Sequence, residues 1–177
     1  FSRGADGIVV QNDIRRINAL KGKVVAAAQF TETDFFIRYL AQEAGLGITM
    51  LGSLEGTPNP ETLNLVYTDD GFAAGDLFLS ELTAGKRLAG AVTWEPKTSE
   101  VLAKGGSGAR LLTSNKNLLI IADVLVVNEG FAQQHPQIVE GLVRGILEGN
   151  RLVRQTPESQ LGVVGQAFKW SPDQTRA

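Results

Sequence analysis

The sequence contains no cysteine and only one histidine, His135, in 177 residues. Disulfides and cysteine-ligated metals are therefore excluded, and zinc ligation or a histidine-based nucleophilic triad lacks adequate parts. A phosphate-binding P-loop and a dinucleotide fingerprint are also missing. No apolar run approaches the roughly 20 residues that cross a bilayer. The sequence therefore predicts no metal, no cofactor and no catalytic residue.

The chain also has no large excess of positive or of negative charge. The formal net charge is −2, and the basic residues are scattered, with Arg15, Arg16, Lys21 and Lys23 as the densest group. Binding to nucleic acid needs clustered Lys and Arg, so we expect no nucleic-acid partner. Hydrophobic residues make up 43% of the chain, which is typical of a soluble globular protein with a buried core.

Short apolar runs alternate with segments of helical periodicity. Strands are predicted at 5–10, 24–28, 65–68, 88–93, 110–113 and 122–127. Helices are predicted at 33–44, 72–84, 136–154 and 158–168, and residues 51–61 read as a loop. Strands that alternate with helices over short links are typical of a mostly parallel sheet flanked by helices, so the predicted fold class is α/β.

The first candidate site is the turn from Gln29 to Asp34, between a predicted strand and a predicted helix. Thr31 and Asp34 have capping-box spacing, which favours an ordinary helix cap. The free N–H groups of a helix start also form a seat for a ligand. Glu32 and Asp34 already occupy the positive end of the helix dipole, which argues against a bare anion.

The second candidate is Thr93-Trp94-Glu95-Pro96, at the end of another strand. A tryptophan usually fills a core, but one followed by an acid and a proline on a turn favours a cleft. There Trp94 would cover an apolar or cationic group, and Glu95 would accept hydrogen bonds from a ligand. Asp69-Asp70 could serve a metal or acid–base chemistry, but a helix cap explains the pair and is favoured.

Residues 122–127 repeat the pattern of residues 5–10, since both begin with Ala-Asp and end with Val-Val. The repeat has two explanations. Either the two runs are linking strands that enter and leave one lobe, or the match is chance among β-branched buried strands.

Several of these segments, in their order and spacing, resemble the nitrate/sulfonate/taurine-type (NitT/TauT) substrate-binding proteins of ABC transporters. The resemblance lies in Gly4–Val10, Leu20–Ala26, Ala91–Pro96, Ile121–Val127, and Phe131 with His135-Pro136. Trp94-Glu95-Pro96 followed by Ala122–Val127 is its most specific part. The resemblance implies a type 2 periplasmic-binding-protein fold, in which two α/β lobes joined by two crossover strands close on a ligand.

Under this resemblance, residues 1–11 are a crossover strand and residues 12–121 are the second lobe. Residues 122–177 are the return crossover and C-terminal helices of a first lobe that is incomplete here. The implied ligand-binding residues are Gln29, Phe30, Thr31, Thr33, Trp94, Glu95, Ser2 and Gly4. The implied location is periplasmic, or extracytoplasmic with a membrane tether.

The implied partners are a small anionic or zwitterionic ligand and a transporter permease. The nearby acids favour a ligand with a donor or positive group over bare nitrate. An OmpA-like domain downstream is a further possibility that the resemblance raises. Two functions compete with transport: an enzyme of the pyrimidine-precursor synthase type on the same fold, and the ligand sensor of a signalling protein. The synthase motifs rich in histidine and cysteine are missing here.

Overall fold

The computed structural model describes residues 1–176. The chain divides into two compact units, Phe1–Ala122 and a second that begins at Asp123. The first unit contains the sheet and the second contains only helices among its described residues. No helix of residues 1–176 combines the length and the apolarity that a membrane crossing requires.

The sheet of the first unit has six strands. They are β1 (Asp6–Gln11), β2 (Val24–Ala28), β3 (Ile48–Leu51), β4 (Leu63–Thr68), β5 (Leu88–Trp94) and β6 (Ala109–Ser114). Their order across the sheet is β3-β4-β2-β5-β1-β6. β1 runs antiparallel to both of its neighbours, whereas β3, β4, β2 and β5 pair in parallel. The predicted mixed, mostly parallel α/β sheet is therefore confirmed.

Three helices cover the two faces of this sheet. They are α1 (Glu32–Glu43), α2 (Gly71–Thr83) and α3 (Lys97–Gly105). Phe36 and Ile37 of α1 are buried in one core cluster with Val25 and other strand residues, while α2 and α3 share a second cluster. Side chains alternate between faces along a strand, which is why Val25 and Ala27 join one cluster while Val24 and Ala26 join the other. α1 therefore covers one face of the sheet, and α2 and α3 cover the other.

The second unit contains four helices in its described residues. They are α4 (Glu129–Gln134), α5 (Pro136–Gln155), α6 (Pro157–Phe168) and α7 (Pro172–Arg176). Pro136 stands at the first helical position of α5, where a missing N–H costs nothing. The predicted long helix is confirmed, and its large apolar residues Ile138, Ile146 and Leu147 are more than half exposed.

The structure corrects several predicted elements. β3, α3 and α4 were not predicted, and residues 122–127 form no strand. A strand needs a hydrogen-bonded neighbour, and none of the six strands of the described sheet pairs with residues 122–127. Within α1, Phe35 is 49% exposed, because the helix buries Phe36, Ile37 and Ala41 instead.

Candidate functional site

The candidate segments meet at one edge of the sheet. β2 and β5 are parallel neighbours, so residues 29–33 and residues 94–95 leave the sheet side by side. β1 is antiparallel, and Asp6 at its start pairs with Trp94 at the end of β5. Ser2 and Gly4 precede Asp6, and the Glu95 N–H donates to the carbonyl of Ala5 at 2.8 Å. This edge, where the parallel strands end, is called the carboxyl edge below.

The strand order makes this edge a place for a ligand. The chain passes from β2 outwards to β3 and β4, and then returns across β2 to β5. The helix after β2 and the helix after β4 cover opposite faces. Ligands of open α/β sheets lie beyond the strand ends where the order reverses in this way. In this sheet that crevice lies between β2 and β5, between the two candidate turns.

The turn into α1 is not the predicted capping box. The Thr31 hydroxyl donates backwards to the carbonyl of Ala28 at 2.7 Å and lies 2.7 Å from the Thr33 hydroxyl. The side chain of Thr31 does not cap the helix, although Thr31 is the N-cap residue. The Ala28 N–H donates to the Thr33 hydroxyl at 3.2 Å, so the buried Thr33 holds the end of β2. Both threonines therefore shape the turn.

Asp34 is paired instead of reaching back to the cap. Its Oδ1 accepts from Arg38 Nε at 2.7 Å and from the Tyr67 hydroxyl at 2.9 Å. Arg38 also donates to the Tyr67 oxygen at 2.7 Å. The hydrogen bond to Tyr67, with that to Asp34, raises the pKa of Arg38, and burial raises the pKa of Tyr67. Arg38 therefore balances the negative charge of Asp34 at the start of α1. Glu32 is the other acid in the first turn of this helix.

Phe30 projects from the carboxyl edge. Its side chain is 90% exposed, and its backbone has φ of 59°, in the left-handed region that favours glycine. A left-handed conformation costs a bulky residue about 1–2 kcal/mol. Neither burial nor backbone preference explains a phenylalanine at this position, which favours a role in binding.

Replacing Phe30 with glycine is expected to separate stability from binding. Phe30→Gly should leave the free energy of unfolding unchanged or raise it by about 0.5–1 kcal/mol, because strain is relieved and little buried area is lost. It should also weaken ligand binding. Urea denaturation and calorimetry measure the two effects. Lys86→Gly is the matched control, since Lys86 is exposed with φ of 54° and precedes β5 at the opposite edge; equal binding by both variants would contradict the assignment.

Trp94 is half-buried against the first turn of α2. Its ring packs edge-on against Phe72, with centroids 5.6 Å apart. Gly71 allows this approach, since a Cβ there would lie 2.2 Å from the ring. The ammonium of the buried Lys97 lies 5.5 Å from the Phe72 centroid and pairs with Asp76 and Glu100. Burial lowers the pKa of Lys97, but these two carboxylates outweigh it and the net shift is upward.

Glu95 has a structural partner that the sequence did not suggest. Its carboxylate accepts from the Ser99 backbone N–H at 3.1 Å and from the Ser99 hydroxyl at 3.0 Å. Glu95 thereby caps the unpredicted helix α3, with the positive end of the helix dipole adding to the attraction. The remaining lone pairs of the carboxylate are what it can offer to a ligand.

Ser2 and Gly4 are held by a residue that the sequence analysis missed. Asn115, buried directly after β6, accepts from the Gly4 N–H at 2.6 Å and donates to the Ser2 hydroxyl at 2.9 Å. Gly4 needs glycine's freedom here, with φ of 96°. The sequence signal that could have identified Asn115 as a site residue is its position: it is a polar residue at the end of a strand, as Gln29 and Glu95 are.

The remaining candidates have local roles. The Asp70 carboxylate accepts from the Ala73 N–H at 2.7 Å, so the predicted cap of α2 is confirmed. His135 joins α4 to α5, and its ring lies 5.0 Å from that of Phe131. Within residues 1–176 there is no group of three or more His, Cys, Asp or Glu side chains that could hold a metal ion.

Known proteins were compared by family, by sequence and by structure. No protein-family profile and no curated protein matches the chain. The periplasmic aliphatic sulphonate binding protein SsuA from Escherichia coli is similar in structure, with a TM-score of 0.75 and 16% identity, over 98% of this chain and 54% of that one. The alkanesulfonate-binding protein SsuA from Xanthomonas axonopodis pv. citri, bound to MOPS, gives a TM-score of 0.67 and 17% identity, over 97% and 53%.

These similarities identify the fold. The chain has the fold of the periplasmic solute-binding proteins, as the sequence resemblance predicts. It spans about half the length of the structures that it matches. A third similar structure, with a TM-score of 0.61 and 18% identity over 89% of this chain and 44% of the other, is a periplasmic sulfonate-binding protein SsuA from Methylobacillus flagellatus KT, assigned to a sulfonate ABC transporter.

Proposed function

We propose that this chain is part of the solute-binding component of an ABC importer and captures a small ligand at the carboxyl edge. One observation carries the proposal. The segments after β2 and β5 and the segment before β1 converge where the strand order reverses, with the exposed Phe30 among them. That crevice is where a sheet of this kind binds ligands. The solved structures of similar fold include proteins that bind sulfonates.

The proposed ligand is a small anion or zwitterion. Charge at the start of α1 is less negative than the sequence implies, because Asp34 is neutralised by Arg38. The first N–H groups of α1 have no cap from Thr31, and such groups attract negative charge. Glu32 and Glu95 remain as acceptors, which favours a zwitterion over bare nitrate.

The proposed mechanism is capture without chemistry. Residues 12–121 form the second lobe, with residues 1–11 and 122–177 as crossovers and part of the first lobe. Closure of two lobes on the ligand would then be stabilised by contacts to both. The location is periplasmic and the partner is a transporter permease. An enzyme is disfavoured because a single histidine and no cysteine leave few groups for covalent or acid–base work.

Calorimetry on the complete product of the encoding gene tests the proposal. The panel is taurine, ethanesulfonate, MOPS, sulfate, nitrate and the common amino acids. We expect at least one sulfonate or zwitterion to bind with a dissociation constant of about 1 μM or tighter. Mass spectrometry should recover that ligand unchanged after incubation. Turnover of the ligand would contradict a pure binding role, and tight binding of nitrate or sulfate alone would contradict the preference for a zwitterion.

A further inference from the structure

We propose that Asn115 is a positioning residue that fixes the Ser2–Gly4 segment against the carboxyl edge. The effect on ligand binding rests on the proposed function, but the positioning itself does not. Asn115 is fully buried, and it is the first residue after β6. Its side chain is the common partner of Ser2 and Gly4, in the segment that leads into β1, and of Asp6, the first residue of β1.

The carboxamide of Asn115 uses its full hydrogen-bonding capacity on Ser2, Gly4 and Asp6. Its Oδ1 accepts from the N–H groups of Gly4 and Asp6, at 2.6 and 3.3 Å. Its Nδ2 donates to the Ser2 hydroxyl and to Asp6 Oδ2, at 2.9 and 2.8 Å. An amide has two donor hydrogens and one oxygen with two lone pairs, so each is matched and only one orientation of the amide fits.

The segment has little else to hold it. Residues 1–5 form no helix or strand. Two backbone hydrogen bonds, from Ser2 N–H to the Ile121 carbonyl and from Glu95 N–H to the Ala5 carbonyl, also attach it, together with the bond from the Ser2 hydroxyl to Asp6 Oδ2. The second of these joins the segment to the turn that carries Trp94. Asn115 therefore sets the place of Ser2 and Gly4 relative to the other candidate residues.

The chemistry requires an amide at this position. Aspartate in place of Asn115 would lose the two donor hydrogens and place a second carboxylate about 3 Å from that of Asp6, where like charges repel. Exchanging the two residues, Asp6→Asn with Asn115→Asp, restores one amide and one carboxylate in contact. The exchange therefore tests the pair and not just the size of the side chain.

Hydrogen–deuterium exchange measured by mass spectrometry tests the positioning. In Asn115→Asp, exchange of the amides of residues 2–6 should be at least tenfold faster, while peptides of β2 and β4 stay protected. The double variant Asp6→Asn/Asn115→Asp should bring those hydrogen-exchange rates to within about threefold of wild type. Asn128→Asp adds the same charge at a helix cap where Asp works equally well, and it should change nothing. Rates within twofold of wild type in Asn115→Asp, or no recovery in a folded double variant, would overturn the proposal.

Ser2→Ala covers the case in which Asn115→Asp does not fold. It removes only the hydroxyl that donates to Asp6 Oδ2 at 2.5 Å and accepts from Asn115, so exchange at residues 2–4 should rise at least threefold with an unchanged melting temperature. Unchanged exchange overturns the proposal. If wild type binds a ligand from the panel, Asn115→Asp should also weaken the affinity for that ligand at least tenfold, and the double variant should recover the affinity. A wild type that binds nothing counts against the proposed function alone, because the exchange rates need no ligand.

Discussion

Trp94→Ala is expected to weaken ligand binding by about 1–3 kcal/mol, or roughly 5- to 150-fold, while the protein remains folded. Trp94 ends β5 at the point where the strand order reverses. It is only half-buried, so its outer face is free to cover a ligand while its inner edge rests on Phe72. An aromatic ring in such a place contributes apolar contact area at a low cost in conformational entropy. Calorimetry with the ligand from the panel measures the loss.

Trp170→Ala is the matched control for this substitution. Trp170 is also half-buried and also contacts a phenylalanine, since its ring stacks on that of Phe168 with centroids 4.7 Å apart. It belongs to the second unit and to no candidate turn. Its loss should leave the affinity within about twofold of wild type. If Trp94→Ala binds as tightly as this control, the ligand lies elsewhere and Trp94 is an ordinary packing residue.

Much of the fold follows from local signals. β2 was predicted with its observed bounds, because five consecutive small or β-branched apolar residues between a Lys-Gly-Lys turn and a polar turn leave little choice. α5 was predicted from its proline start and its apolar stripe. β3 was missed because it is an edge strand of only four residues, in which Thr49 interrupts the apolar residues and Met50 is exposed.

The candidate site was less predictable, because its structure depends on partners that are distant in sequence. Thr31 and Asp34 have capping-box spacing, yet Asp34 pairs with Tyr67, 33 residues away, and with Arg38. The nearby cation and phenol compete for the carboxylate more strongly than the N-cap backbone does. Asn115 and its partners at residues 2–6 are more than 100 residues apart. No local pattern encodes such a contact.

Pairing of Asp34 also changes the electrostatics expected for the site. An unpaired acid in the first turn of α1 would repel an anion at the helix start. Because Arg38 lies one turn further on and forms an ion pair with it, the pair carries no net charge. Glu95 differs, because its partner Ser99 offers only neutral donors, which hold the carboxylate without an opposing charge. Of the three acids that argue against an anion, Asp34 is therefore the one that a cation balances.

Gly71→Ala is expected to have an effect on binding as large as that of Trp94→Ala, although Gly71 itself need not touch the ligand. A Cβ at Gly71 would lie 2.2 Å from Trp94 Cζ3 and 2.6 Å from Cε3. Since real Cβ contacts are never this short, the indole ring must leave its place against Phe72. Overpacking of this kind costs about 1–3 kcal/mol of stability. Calorimetry and urea denaturation measure both losses.

The control and the double variant make this prediction specific to the ring. Gly141 lies within α5, and a Cβ there meets nothing within 4 Å, so Gly141→Ala should raise stability by up to about 1 kcal/mol through helix propensity alone. In the Trp94→Ala background the obstruction at Gly71 is gone, so Gly71→Ala should then be neutral or stabilising. Such non-additivity is the signature of two residues in direct contact. If Gly71→Ala lowered stability equally with and without Trp94, the substitution would act on the start of α2 itself, and the ring would not be held by the backbone beneath it.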